Sequence, residues 1–278
     1  MKHHDLNDLI DSAVSRRKFA KSAITAGFGI GAASLISGSS STAFAQSITD
    51  ADILNFALNL EYLEAEFYTV ITSGVTIDRA PHNISISGVG TPGPTTGAGP
   101  LDFGSNSLLR QTALELAYDE REHVKILRGA LGAAAVAKPA IDFSAAGVTT
   151  VQRFLQVARV LEDTGVSGYG GAAPLLQSKE ILAVATRIAL VEALHSGNVR
   201  FQVAAGGVAD LGPVDAFDII VGTPGRIGAR LVTADAVGLT PVRTPSQVLS
   251  IVYGPGAPAG TSRGLLFPNG MNGVIRTV

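Results

Sequence analysis

Two glutamate–histidine pairs at helical spacing decide more about this chain than any other feature. Glu120-Arg121-Glu122-His123 and Glu192-Ala193-Leu194-His195 each hold a carboxylate and an imidazole three residues apart. On a helix that spacing puts both groups on one face, about a turn from each other. The chain has nine glutamates, all between residues 61 and 192, and five histidines, two of which are His3 and His4. Two of the three remaining histidines share the same glutamate offset, a coincidence that so few glutamates do not produce by chance. A single such pair commonly steadies a solvated helix, so the neighbours matter. Glu192 and His195 lie in Arg187-Ile188-Ala189-Leu190-Val191-Glu192-Ala193-Leu194, where a solvated face is a poor reading. Around Glu120 and His123 the residues Asp119, Arg121, Glu122 and Lys125 leave a surface pair open.

Apolar periodicity predicts four long helices. In helix one, from Asp50 to about Ser73, Ile53, Leu54, Ala57, Leu58, Ala65 and Tyr68 recur at steps of three and four without Gly or Pro. The Gly- and Pro-rich stretch 74–107 breaks both helix and strand and reads as a long loop. Helix two runs from Ser107 to about Leu131, with Gly132 as its stop. Helix three, capped by Thr149 or Thr150, runs toward Tyr169, weakened by Gly165 and Gly168. Helix four spans about Ser178 to Ala205, ended by Gly206-Gly207. Residues 208–278 have no comparable period, apart from a short helix marked by Thr244-Pro245-Ser246-Gln247 and ended by Gly254. The expected fold is an all-α four-helix bundle over 46–207, with a C-terminal extension, 208–278, packed on it.

Each helix carries one part of a ligand set. Helix one offers Glu61 on its apolar stripe, helix two Glu120 and His123, helix three Glu162, and helix four Glu192 and His195. Glu, Glu-x-x-His, Glu, Glu-x-x-His is the order that a di-metal carboxylate site in a bundle core requires. Two divalent cations carry four positive charges, and four carboxylates neutralise them. Without metal the carboxylates would repel and take up protons. Zero cysteines exclude thiolate zinc sites, iron–sulfur clusters and cysteine nucleophiles. A net charge of −2 gives no footprint for nucleic acid. No spare core histidine pairs with a serine, so a hydrolase reading has no support, and no phosphate-cradling loop is present. Tyr68 and Tyr169 read as core residues or neighbours of the site rather than radical carriers, and His82 as a solvated loop residue. Glu64, Glu66, Glu115, Glu122 and Glu180 read as solvated helix faces, with Glu64 a substitute for Glu61.

With this ligand order, the chain resembles the ferritin-like superfamily, and within it the exported ferritin-like-domain proteins related to plant desiccation-related proteins. The ligand pattern carries the resemblance over about 48–206. Thr244-Pro245-Ser246-Gln247-Val248-Leu249 and Phe267-Pro268-Asn269-Gly270 resemble that subfamily's tail. Glu61 followed seven residues on by Tyr68 resembles the first ligand helix of bacterioferritins and rubrerythrins, which favours Glu61 over Glu64. The resemblance implies that Glu120 and Glu192 bridge two metals while Glu61 and Glu162 are terminal. It also implies an Asp before each Glu-x-x-His to hold the opposite histidine's outer nitrogen; Asp119 fits this for His195, but the counterpart position is Val191. The expected cofactor is two divalent metal ions, iron first and manganese second, and the expected partner a small-molecule oxidant, oxygen or peroxide. The alternative is a desiccation- or stress-related structural or interaction protein whose metal site is mainly structural. Iron storage in a cage is disfavoured, because only five glutamates remain to line one.

Residues 1–45 read as a twin-arginine signal peptide. Ser15-Arg16-Arg17-Lys18-Phe19-Ala20-Lys21 resembles the export motif at every position, and Ala43-Phe44-Ala45 offers the small residues a signal peptidase reads before Gln46. The intervening run is interrupted by Gly27, Gly29, Gly31 and Ser34 and falls short of the roughly 20 apolar residues that span a bilayer. The chain is thus expected in the periplasm or outside the cell, with no membrane attachment after cleavage. Replacing Arg16 and Arg17 by Lys should hold the full-length precursor in the cytoplasm. Fractionation that finds a chain beginning at Gln46 in the periplasm of that variant contradicts the reading.

Overall fold

Four long helices begin where a side-chain oxygen takes up free backbone N–H groups. In this computed structural model, which describes residues 48–222 and 230–278, they are α1 (Asp50–Ser73), α2 (Ser107–Leu131), α3 (Val151–Ala172) and α4 (Lys179–Ala205), followed by the short α5 (Pro245–Val252). The expected signal peptide lies outside the described residues. Thr49 caps α1 in a reciprocal box with Asp52, and Asn106, Thr150 and Ser178 cap α2, α3 and α4 through Leu109, Arg153 and Ile181. Thr244 and Gln247 form a second box on α5. None of the helices among the described residues is long and apolar enough to cross a membrane.

The helices form an all-α bundle in which α1 packs along α2 and α3 along α4. Helix three continues past Tyr169 to Ala172 despite its glycines. Its small residues serve packing: a methyl group on Gly171 would sit 2.0 Å from the carbonyl oxygen of Arg243, so the C-terminal extension lies directly on the helix. That extension is held by buried charge. Arg159 reaches Asp218 at 2.6 Å and Asp210 at 2.7 Å, and Arg200 donates to Asp163 and to the carbonyl of Ile219, both at 2.7 Å. Arg243 donates to both carboxylate oxygens of Asp215 at 2.7 Å and to Ser167 Oγ at 2.8 Å. The tail ends on helix one, where Asn59 and the backbone of Asn272 exchange two hydrogen bonds.

The stretch 74–107 is not free of strand. Thr95–Thr96 (β1) pairs in parallel with Ile141–Asp142 (β2), and Val89 bridges Val136. The physical reason is backbone satisfaction: a loop lying over a core must find partners for its amides. Along this path Val89 N–H donates to Ala135 O and Val89 O accepts from Ala137 N–H, Gly93 N–H donates to Lys138 O, and Ile141 N–H donates to Pro94 O.

A buried ion pair pins the loop. Lys138 and Glu66 are both almost wholly excluded from solvent, with Lys138 Nζ 3.3 Å from Glu66 Oε1 and donating to Gly93 O and Thr95 Oγ1 at 2.9 Å. Glu66 is therefore not on a solvated face, and neither is Glu64, which is buried on α1. Glu115 and Glu180 are exposed as expected; Glu122 is half-buried and pairs with Lys125. Removing one member of a buried pair leaves the other charge uncompensated. Glu66→Ala should thus cost on the order of 3–5 kcal/mol in urea unfolding, while Lys125→Ala, at a surface pair, should stay within about 0.5 kcal/mol.

Candidate metal centre

The inward faces of the four helices meet at a cluster of buried acids and imidazoles. Glu61 comes from α1, Glu120 and His123 from α2, Glu162 from α3, and Glu192 and His195 from α4; all six are buried. Two overlapping groups of donor atoms, each within 4.8 Å of one another, result: Glu61, Glu120, His123 and Glu192, and Glu120, Glu162, Glu192 and His195. Glu120 and Glu192 belong to both groups. His82 belongs to neither; it is partly buried in the loop, and burial and then the nearby Arg121 and Lys125 lower its pKa.

Each imidazole turns its Nδ1 inward. His123 Nδ1 lies 3.2 Å from Glu61 Oε2, 3.2 Å from Glu120 Oε2 and 3.3 Å from Glu192 Oε1. His195 Nδ1 lies 2.9 Å from Glu120 Oε1 and 3.4 Å from Glu162 Oε2. These contacts show α2 and α4 running antiparallel, since the pairing rises from 120 to 123 as it falls from 195 to 192. The outer nitrogen of His195 is held by Asp119 at 3.1 Å. For His123 Nε2 no hydrogen-bond partner is found among the described residues, and position 191 is the expected valine.

Two tyrosines fasten the unshared carboxylates. Tyr68 donates to Glu162 Oε1 at 2.5 Å, and Tyr169 donates to Glu61 Oε1. The arrangement is reciprocal across the bundle: each tyrosine lies seven residues after one glutamate and binds the other. Glu162–Tyr169 repeats the Glu61–Tyr68 spacing, a signal present in the sequence. Each carboxylate has one oxygen tied to a phenol and the other facing the cluster.

Without a counter-ion this arrangement is electrostatically unsatisfied. Glu120 Oε1, Glu162 Oε2, both oxygens of Glu192 and His195 Nδ1 are buried with no hydrogen-bond partner. Burial pushes Glu61 up to about 7 against the pull of His123. Burial and the Glu120 charge push Glu192 well above the carboxylate range, and burial raises Glu162. At Glu120 burial also acts upward, but His123 and His195 outweigh it and hold the carboxyl well below its ordinary value. Burial acts downward on both imidazoles, yet Glu61 and Glu120 at His123, and Glu162 and Asp119 at His195, hold them well above the usual histidine range. Converging oxygens and imidazole nitrogens fit divalent iron, manganese or zinc.

Glu64 adds a fifth carboxyl. Burial and the charges of Glu192, Glu120, Glu162 and Glu61 raise it well above its ordinary range. A methyl group on Gly165 would sit 2.6 Å from Glu192 Oε2 and 3.4 Å from Glu64 Oε1, so both carboxyls reach into the space that this glycine leaves open. Glu64 lies three residues after Glu61, as Gly165 does after Glu162. The Glu61-x-x-Glu64 spacing on the inward stripe of α1 was a signal for its burial.

Comparison with known proteins agrees with the all-α fold. The ferritin-like domain family matches residues 49–205, and the chain belongs to it. The desiccation-related protein PCC13-62 of Craterostigma plantagineum is 25% identical, over 79% of this chain and 86% of that protein. The ferritin-like catalase Nec2 of Nesocodon mauritianus is 23% identical, over 81% of this chain and 84% of its own length.

Charge and metal make opposite demands on pH. In chelated protein Glu61, Glu162, Glu192 and both histidines retain protons in the folded state that the unfolded chain gives up. Their stabilising contribution is complete below about pH 4.5, the ordinary glutamate value, and for Glu61 is lost as pH rises to about 7. The histidine contribution begins to fall above about 6.5, the ordinary histidine value, and is lost as pH rises through the raised folded-state value. Chelated protein should therefore melt lower at pH 8 than at pH 5. Metal-loaded protein should melt higher at pH 8, because binding requires deprotonated ligands. Thermal melts at both pH values, with and without chelator, check the two slopes.

Proposed function

We propose that this member of the ferritin-like domain family is an exported di-metal redox protein, iron first and manganese second, that acts on peroxide or oxygen. The observation that carries the reading is the sharing of Glu120 and Glu192 between two donor groups, each with its own histidine and its own terminal glutamate. Glu61, Glu120, His123 and Glu192 would hold one metal, and Glu120, Glu162, Glu192 and His195 the other. When bound, such a pair supplies two one-electron redox steps at a single buried place.

The residues of the chain do the rest. Tyr68 and Tyr169 fix the terminal carboxylates so that one oxygen of each faces inward, and Asp119 orients His195. The apolar walls from Leu58, Ala65, Leu116, Val124, Ala158 and Ile188 exclude bulk water. Glu64 places a fifth carboxyl beside Glu192, where it can hold a proton next to the site. Peroxide is the preferred substrate, because two molecules yield two waters and one oxygen with no outside reductant. The catalase named among the relatives supports that choice.

The desiccation-related relative supports a second reading, in which the metal site serves stability and the loop and extension are the working surface. Metal-loaded protein given hydrogen peroxide separates the two. The redox reading expects many turnovers, with one oxygen released for every two peroxides consumed, and loss of that activity in Glu192→Ala. Metal-loaded protein that is stable yet inert to peroxide and to oxygen leaves the structural reading ahead.

A further inference from the structure

Helix α4 carries large apolar side chains on the side that faces water as well as on the side that faces the bundle. Its inward face carries Ile181, Ala185, Ile188, Glu192, His195 and Val199 into the bundle. Its outward face exposes Leu190 at 62%, Leu194 at 72% and Phe201 at 52%, with Ala183, Ala193 and Ala205 around them. Among the described residues 181–205, Arg187 is the one exposed charge. A contiguous patch of exposed apolar side chains marks a contact surface. Positions 183, 187, 190, 194 and 201 are exposed and Gly197 half-buried, and together they alternate steps of four and three, the spacing of a seam that meets another helix.

We infer that this face of α4, flanked by α2, is the surface on which a second copy of the chain docks, with the twofold axis at Leu194. Antiparallel pairing of α4 with its own copy about that residue sets Leu194 against Leu194. Leu190 then meets the small Gly197 and Asn198, and Phe201 meets Arg187 of the second copy. Charge favours the same register. Asp119 bonds His195, so Glu115, four residues before Asp119, lies on the edge of α2 that borders α4. Because the two helices are antiparallel, Glu115 lies toward Phe201. Arg187 of the second copy therefore arrives beside both Phe201 and Glu115. Neither Arg187 nor Glu115 has an ion-pair partner among the described residues. The face is about 35 Å long and roughly 20 Å across two helices. That gives on the order of 700 Å² per copy, close to the ~800 Å² of a stable interface. Docking would also cover Asp119, which is half-exposed where it supports His195.

The test uses the metal-loaded chain in sedimentation equilibrium from about 1 to 100 µM. Expected is a dimer whose dissociation constant rises at least ~100-fold in the double variant Leu190→Glu, Leu194→Glu, with metal content unchanged. Arg187→Glu should weaken the dimer, and adding Glu115→Arg to it should restore it. Because the chain has no cysteine, Leu194→Cys supplies an independent probe. At the axis it should oxidise to a covalent dimer, whereas Ser85→Cys, in the loop, should not. A monomer at 100 µM, or a dimer insensitive to these changes and not cross-linked at 194, overturns the inference. Flotation of the wild-type chain with anionic vesicles, lost in the double variant, overturns it in favour of a lipid surface.

Discussion

Four carboxylates and two imidazoles share one water-excluded space, and their mutual charge is the condition the rest of the bundle must meet. Carboxylates this close repel, and burial removes the water that would screen them. Each helix contributes to that repulsion, so each is held by something else. The apolar stripes supply the general cohesion, and the tyrosine bonds from Tyr68 and Tyr169 tie α1 to α3 directly through the carboxylates. Outside the bundle, the Arg159, Arg200 and Arg243 networks clamp the extension on α3 and α4. In these clamps each guanidinium meets a carboxylate, whereas at the centre buried carboxylate oxygens face one another.

Much of this arrangement is legible in the sequence because it is local. Helix starts follow from caps such as Thr150 and Thr244, whose side chains act within three residues of themselves. The inward faces follow from periodicity, which puts Glu61, Glu162 and Glu192 in apolar surroundings before any contact is known, whereas the charged neighbours of Glu120 leave a surface pair open and only its spacing to His123 points inward. What was not legible depends on contacts between distant segments. Glu66 looks like any helix-surface acid until Lys138, seventy-two residues on, is brought under the same loop. The short pairing of Thr95–Thr96 with Ile141–Asp142 has no strand pattern, because two residues are too few to show alternation.

The extension and the loop cover opposite ends of the same problem. A bundle of four helices leaves its flanks open, and here the flanks of α1 and α3 are closed by 74–107 and by the described residues of the extension. Asn272 illustrates the economy of that closure: its backbone bonds Asn59 on α1, and its side chain bonds Thr91 in the loop and the carbonyl of Ala137. One residue near the end of the chain thus joins three segments. The outer face of α4 receives no comparable cover from the described residues, and it is there that the apolar surface collects.

The centre is nearly twofold symmetric, and its departures from symmetry fall on both halves. Glu61 with Tyr169 mirrors Glu162 with Tyr68, and Glu120 with His123 mirrors Glu192 with His195. Asp119 supports His195, but the matching Val191 offers His123 nothing. A carboxylate on the outer nitrogen fixes the tautomer that leaves Nδ1 free and makes that nitrogen a stronger donor. His195 is therefore the better-prepared ligand of the two. The second departure is Glu64, whose mirror position is Gly165: the acid that one half carries occupies room that the other half gives up. A symmetric site would need either two glycines, leaving a void, or two glutamates competing for one space. The asymmetric choice fills the space once and sets a fifth carboxyl beside Glu192, so two metals held by matching donor sets would still stand in unequal surroundings.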